Sequence, residues 1–224
     1  MRVSLIIPAL NEADCLPSLL AEVPAGLIHQ VMVVDNGSTD NTAEVARTAG
    51  ALVIDEPRRG YGFACAAGTA VAEGDVLVFM DGDGSFAPGE LPDLLAPLVR
   101  DEADLVLGSR MRDNPRRVAM PPHQRFGNLL FVRLLCYRYG LTLTDLGPYR
   151  AIRRELLLTL NMQEYTYGWP LEMIIKTARR RKLIVEVSVT YRPRFAGQSK
   201  VGGTLHGSIL TAYRFFIVTL RYAL

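Results

Sequence analysis

No apolar run in this chain of 224 residues reaches the roughly 20 residues that a membrane-spanning helix requires. Cysteine is scarce. Cys15, Cys65 and Cys136 are far apart and odd in number, with no metal-ligand spacing. That excludes a disulfide scaffold and a thiolate zinc site, and it fits reduced thiols in a cytosolic protein. No secretory leader is visible, because the strand-like Val3 to Ile7 runs directly into Pro8. Charge of one sign is not in excess: 25 Lys and Arg face 23 Asp and Glu, a net +2. The strong basic bias of a nucleic-acid protein is absent. His29, His123 and His206 are scattered, so each is read as a surface or packing residue.

What is present is enough apolar material, 49% of residues, for a substantial core. Short apolar runs at Val3 to Ile7, Val31 to Val34, Ala51 to Ile54, Val76 to Met80 and Leu105 to Leu107 predict strands. Helical spacing separates them: Leu16, Leu19, Leu20 and Val23; a start at Asn41; an Ala-rich helix after Gly60-Tyr61-Gly62; and Leu91, Leu94, Leu95 and Leu98 after Pro88. Nearly all-apolar strands alternating with helices predict an α/β fold with a mainly parallel sheet covered on both faces. The second half reads as helices at Phe126 to Leu143, Arg153 to Leu160 and Pro170 to Arg181. A strand follows at Leu183 to Tyr191, and an amphipathic segment at Leu205 to Leu224. One domain over 1–200 with a helical extension over 201–224 is expected.

Ligands of such sheets bind beyond the carboxyl ends of the strands. Polar residues stand at those ends here: Asn11-Glu12 after the first strand, Asp35 after the second, Asp81-Gly82-Asp83 after the fourth. Two carboxylates flanking a glycine suit Mg²⁺ or Mn²⁺ held against a diphosphate; an Asp-Gly turn is the plain alternative. Asn11 and Ser38 are equally readable as helix caps. Gly60 begins a turn of weak specificity. The Arg192 to Lys200 loop packs three cations, a hydroxyl and a glycine after a strand, a composition able to close over phosphates. Arg110, directly after the fifth strand, is a second phosphate candidate. Asp145 precedes a turn. Glu172 sits in a first helical turn, where the helix dipole alone would favour it.

Taken jointly and in order, Ile6-Ile7-Pro8-Ala9-Leu10-Asn11-Glu12, Val34-Asp35-Asn36-Gly37-Ser38-Thr39-Asp40, Asp81-Gly82-Asp83, Gly108-Ser109-Arg110 and the Arg194 to Lys200 loop resemble family 2 glycosyltransferases of the GT-A fold. The likeness is greatest to the branch of dolichyl- or polyprenyl-phosphate mannose and glucose synthases. It is close over residues 1–112 and patchier through 200. It implies an inverting, divalent-metal-dependent hexosyltransferase using a UDP- or GDP-sugar. Pro8, Leu10, Asn11, Glu12, Asp35, Asn36 and Gly60 are expected around the nucleoside. Asp81 and Gly82 fall by the ribose and diphosphate, with Asp83 as metal ligand. Arg110, Arg194, Ser199 and Lys200 fall on phosphates. Ser85 stands where many members carry a Gln ligand, so the expected metal set is Asp81, Asp83 and Ser85. Asp83, Arg110, Asp145 and Lys200 are the catalytic candidates. Arg125, Asp145, Arg150, Trp169 and Glu172 are the acceptor candidates. A polyprenyl phosphate is the expected acceptor, a soluble phosphorylated metabolite or glycan the alternative. Peripheral contact with the inner face of a membrane, through the two arginine-bearing apolar segments, stands open against packing on the core or on a second subunit. A sugar nucleotidyltransferase fits poorly, because Pro8 to Glu12 is acidic and lacks glycine, and a non-catalytic nucleotide-sugar binding module is disfavoured by the presence of both Asp81 and Asp83.

Overall fold

The apolar runs of the first half become strands β1 (Val3–Ala9), β2 (Gln30–Asp35), β3 (Leu52–Asp55) and β4 (Val76–Phe79), all mutually parallel. Strands β5 (Leu105–Ser109) and β7 (Ile184–Ser188) form a second parallel pair. Between the two groups lies β6 (Arg150–Arg153), antiparallel to both β4 and β5. The seven-stranded order is β3-β2-β1-β4-β6-β5-β7. The structure is a computed structural model and describes residues 1–113, 121–195 and 205–222, with the side chains of 124 and 205–211 outside that description.

Helices α1 (Leu16–Ala21), α2 (Thr42–Thr48) and α4 (Leu91–Val99) cover one face; α3 (Tyr61–Val71), α5 (Pro122–Tyr139), α6 (Arg154–Leu160), α7 (Trp169–Arg179) and α8 (Leu205–Tyr222) cover the other. Strand pleating sorts the side chains. Leu5, Ile7 and Val78 pack with Leu19, Leu94 and Leu98, whereas Ile6, Leu77 and Phe79 pack with Ala64, Trp169 and Ile174. Burial on both faces is why these strands read as continuous apolar runs rather than as alternation.

Three expectations shift. Strand β6 has no signature in the sequence: four residues with arginine at both ends show neither alternation nor an apolar run. Its pairing with β4 and β5, with Ala151 and Ile152 buried, imposes the extended state. The helix expected at Phe126 to Leu143 begins earlier, at Pro122, and ends at Tyr139. There Gly140 turns left-handed at φ 67° and donates its N–H to the Cys136 carbonyl at 2.9 Å. The last strand stops at Ser188, and Tyr191 instead makes an isolated antiparallel bridge with Phe86. Helix α8 packs one side against the core. Val218 and Tyr222 are buried, and Arg179 donates to the Tyr222 carbonyl at 2.9 Å.

Helix α3 lies so close to the sheet that a Cβ at Gly68 would stand 2.5 Å from Ile6 Cγ2 and 3.2 Å from Val34 Cγ2. Alanine would improve helix propensity by about 1 kcal/mol. Overpacking against two β-branched side chains costs about 1–3 kcal/mol, and the clash should win. G68A is therefore expected to lower the thermal midpoint. An unchanged or raised midpoint would show that α3 can lift off the sheet.

Candidate active site

The carboxyl ends of β1, β4 and β5 and the segment after β7 surround a cavity of about 660 Å³. From the first half it is lined by Pro8, Ala9, Leu10, Glu12, Asn36, Gly60, Asp81, Gly82, Asp83 and Arg110, and from the last part of the chain by Arg194. These residues come from six separate segments, and the topology explains their meeting: parallel strands end on one edge.

Electrostatics dominate the floor. Asp83 accepts from the Ser85 backbone N–H at 3.0 Å and from the Ser85 hydroxyl at 2.5 Å. Its other oxygen accepts from Arg194 Nη1 at 3.0 Å, and Arg194 Nη2 also binds both oxygens of Glu12 at 2.8 and 2.9 Å. One guanidinium thus clamps two carboxylates carried beyond the neighbouring strands β1 and β4. Asp81 opens partly to the cavity. Desolvation first, and then the neighbouring Asp83, push its carboxyl up to about 7 against the pull of Arg110 and Arg194. Gly84, at φ 76°, closes this turn, and a Cβ there would lie 2.4 Å from the Phe195 ring. No residue but glycine suits both the backbone and the ring.

Arg110 is positioned from behind. Its Nε and Nη2 reach the two oxygens of Asp145 at 2.7 and 2.8 Å, its backbone N–H adds a bond at 2.9 Å, and the Tyr191 ring lies 5.2 Å below the guanidinium. Burial opposes ionisation of Asp145, but the Arg110 charge and its hydrogen bonds outweigh that and hold the carboxyl below its usual range. Glu186 of β7 anchors the loop in turn. It accepts from the Thr144 and Asp145 backbone N–H groups at 2.8 and 2.9 Å.

Several expected residues are placed otherwise. Asp145 is fully buried and does not face the cavity, so it orients Arg110 rather than meeting an acceptor. Glu172, also fully buried, accepts from Gln163 and Glu164 backbone N–H groups and pairs with Lys176 at 2.6 Å. Arg150 is buried beneath the floor and donates to the carbonyls of Leu146, Gly147 and Pro170. Burial drags its guanidinium down to about 10. Trp169 packs edge-on against Phe79 in the core. None of these four is exposed to an acceptor, because each packs into the junction that holds the second half on the sheet. Arg125 is half-buried on α5 and is not among the cavity-lining residues. Ser85 is buried and turned onto Asp83, supporting that carboxylate instead of standing beside it as a ligand. Asp35 accepts from the Ser38 N–H at 2.9 Å, and Asn11 from the Thr39 N–H at 2.7 Å; neither lines the cavity. Asn36 does line it, yet its amide is engaged on the Glu56 and Arg58 carbonyls and the Gly60 N–H. Ser199 and Lys200 lie outside the described residues.

The sequence reading missed the far wall: His123, Asn128 and Phe131 of α5, Leu146 and Pro148, Thr166 and Tyr167, and Phe215 of α8, with Arg59 and Tyr191 nearer the floor. Arg59 directly precedes the glycine turn already marked, which was the available signal. Tyr191 ends the strand-like run, but no motif distinguishes it. The α5 and α8 residues sit in segments whose tertiary position no local pattern gives.

Among the described residues no group of three or more His, Cys, Asp and Glu stands ready for a metal ion. The candidate donors are Asp81 and Asp83. Two carboxylates are compatible with Mg²⁺ or Mn²⁺, which take remaining ligands from water and substrate phosphate. Asp81 is raised by its burial first and by the neighbouring Asp83 second.

The sequence model of glycosyl transferase family 2 matches residues 4–160. An uncharacterized glycosyltransferase of Mycobacterium tuberculosis is 42% identical over 219 residues, covering 96% of this chain and 97% of that protein. An undecaprenyl-phosphate mannosyltransferase of Micrococcus luteus is 36% identical, covering 92% and 90%. Among solved structures, glucosyl-3-phosphoglycerate synthase of Mycobacterium tuberculosis with Mg²⁺ and uridine diphosphate superposes with a TM-score of 0.79 at 26% identity, covering 99% of this chain and 79% of that one. A mixed sheet whose strand ends gather these carboxylates and arginines, matched by that fold and that sequence model, makes this chain a member of glycosyl transferase family 2 with the GT-A architecture.

Proposed function

We propose that the protein transfers a hexose from a UDP- or GDP-sugar to a polyprenyl phosphate, with inversion at the anomeric carbon and with Mg²⁺ or Mn²⁺ held at Asp81 and Asp83. The observation that carries this reading is the two-ended cavity. One end is the carboxylate and arginine floor. The other is walled by Phe131, Leu146, Pro148 and Phe215, with His123, Asn128, Thr166 and Tyr167 among them. A lipid phosphate has the same polarity: an anionic head and an apolar chain.

The chain's own residues then divide the work. Pro8, Ala9, Leu10, Asn36 and Arg59 form the nucleoside side, and Arg110 and Arg194 supply positive charge to the diphosphate. The bound cation would neutralise charge on the departing diphosphate. The acceptor phosphate oxygen forms the new bond to the anomeric carbon as the bond from that carbon to the diphosphate oxygen breaks. The electron pair leaves with the nucleoside diphosphate. An acceptor already anionic near neutral pH needs positioning more than a strong base. That suits a site whose Glu12 and Asp83 are bound to Arg194 and whose Asp145 is bound to Arg110. The same phosphate-recognising floor would accept a phosphorylated metabolite, a reading favoured by the likeness to glucosyl-3-phosphoglycerate synthase.

Thermal shift with UDP-glucose and GDP-mannose, with and without Mn²⁺, should reveal one donor that stabilises only with metal. Transfer should then proceed to polyprenyl phosphate and not to 3-phosphoglycerate; the reverse preference would replace the lipid reading with the soluble one. D83N should fold normally, lose the metal dependence of donor binding and lose about 10²-fold or more in kcat/KM. Full activity in D83N would misplace the site.

Asp81 supplies a pH test. Its folded pKa of about 7 lies above the unfolded value of 3.8. The folded form therefore binds the proton more tightly, and this stability is full below the unfolded value and lost as pH rises through about 7. Without metal, the wild-type midpoint should fall from pH 5 to pH 8 by more than that of D81N. Parallel curves for the two proteins would show that Asp81 ionises normally.

A further inference from the structure

We infer that α5 and α8 together form a docking face for an anionic lipid surface, set at the mouth of the cavity. The inference gives the lipid acceptor of the preceding reading a route to the site, and it stands on a separate set of residues.

Helix α5 has apolar side chains on both sides. Val132 and Leu135 are buried in the core, while Phe126 (70% exposed), Leu130 (57%) and Tyr137 (91%) point outward with Leu129 and Leu134. The outward residues recur at helical spacing and make one stripe. Helix α8 repeats the arrangement: Val218 and Tyr222 face the core, while Tyr213, Phe216 and Leu220 are exposed. Eight large apolar side chains left outside on two neighbouring helices exceed the scattered exposure normal for a soluble surface. The helices meet through Phe131 and Phe215, whose rings cross edge-on at 5.4 Å. Both of those rings line the cavity, as do Gly127, Asn128 and Ala212. The exposed stripe and the cavity wall are therefore adjoining sides of the same two helices.

Charge selects the occupant. Neither helix contains an Asp or Glu, whereas α5 carries Arg125, Arg133 and Arg138 and α8 carries Arg214 and Arg221. Exposed apolar side chains on helices that carry arginines and no acid suit anionic headgroups over acyl chains, with the long arginine stems reaching back to the phosphates. A second copy of the chain, docked by the same face, would set arginine against arginine with no acid to pair them. Among the described residues no helix is long and apolar enough to cross a membrane, so this face lies on the bilayer rather than within it.

The test is flotation of the full chain with phosphatidylcholine vesicles, with and without phosphatidylglycerol. Binding should require the anionic lipid and weaken with added salt. F126Q/L130Q/Y137Q, which alters no cavity-lining residue, should lower vesicle affinity about tenfold or more, and R133Q and R138Q about fivefold each. The metal-dependent donor shift in melting temperature should remain in all of these variants. Wild type that ignores anionic vesicles at low salt overturns the inference. So does a triple variant that floats like wild type. A triple variant that converts a dimer to a monomer in sedimentation, with flotation unaltered, overturns it in favour of self-association. If no donor shifts the melting temperature of wild type, the transferase chemistry assigned to the cavity fails, while the flotation result still decides the docking face.

Discussion

Two carboxylates two residues apart, on a turn beyond a fully buried strand, cannot both stay ionised in a low-dielectric pocket without positive charge close by. Asp81 and Asp83 impose that condition, and much of the surrounding architecture answers it. Asp83 is met by Arg194 from after β7, and Arg194 is met in turn by Glu12 from after β1. Among the described residues Asp81 has no such direct clamp, and burial first, then the neighbouring Asp83, raise its proton affinity. The floor is thus balanced for a further cation, and a bound diphosphate would restore the negative charge that Arg194 and Arg110 can then share. The placement of Arg194 suits exchange between protein carboxylates and substrate phosphate, since its guanidinium is bound to Asp83 and Glu12 and the residue lines the cavity.

The second requirement is that the last part of the chain be held at the right height over the first. A relay of buried polar contacts does this. Glu186, on β7, binds the backbone of Thr144 and Asp145; Asp145 binds Arg110; Arg110 lies on Tyr191. Arg150 ties the Leu146 and Gly147 carbonyls to that of Pro170 at the start of α7. Breaking a buried pair of this kind commonly costs about 3–5 kcal/mol, because the orphaned charge stays behind. Losses of activity on substitution at Asp145 or Glu186 would therefore come through Arg110 and the far wall rather than through contact with substrate.

The legible part of this molecule is the part in which local pattern and tertiary role coincide. Buried parallel strands are apolar throughout, so Ile6, Val33 and Val78 announced them, and the residues just past each strand had to meet at one edge. Glu12, Asp81, Asp83, Arg110 and Arg194 are expected there from the sequence, and all five line the cavity. Strand β6 was hidden because its extended state comes from β4 and β5, not from its own four residues. Asp145, Arg150, Trp169 and Glu172 carry the right chemistry for acceptor contacts, and only burial reveals that the chemistry is spent internally. Phe131 and Phe215 were the reverse case. Nothing in an amphipathic spacing says which apolar side chain will line a cavity and which will face outward.

That last ambiguity has a physical content of its own. A helix that is apolar on one side needs one partner; α5 and α8 are apolar on more than one. One side of each is satisfied by the core, through Val132, Leu135, Val218 and Tyr222. A second, at Phe131 and Phe215, gives the cavity its apolar end. The third remains outside, ringed by arginine and free of acid within the helices. A soluble phosphorylated acceptor would require neither the second surface nor the third. An acceptor with a long hydrocarbon tail requires both, since its head must reach the carboxylate floor while its tail stays out of water.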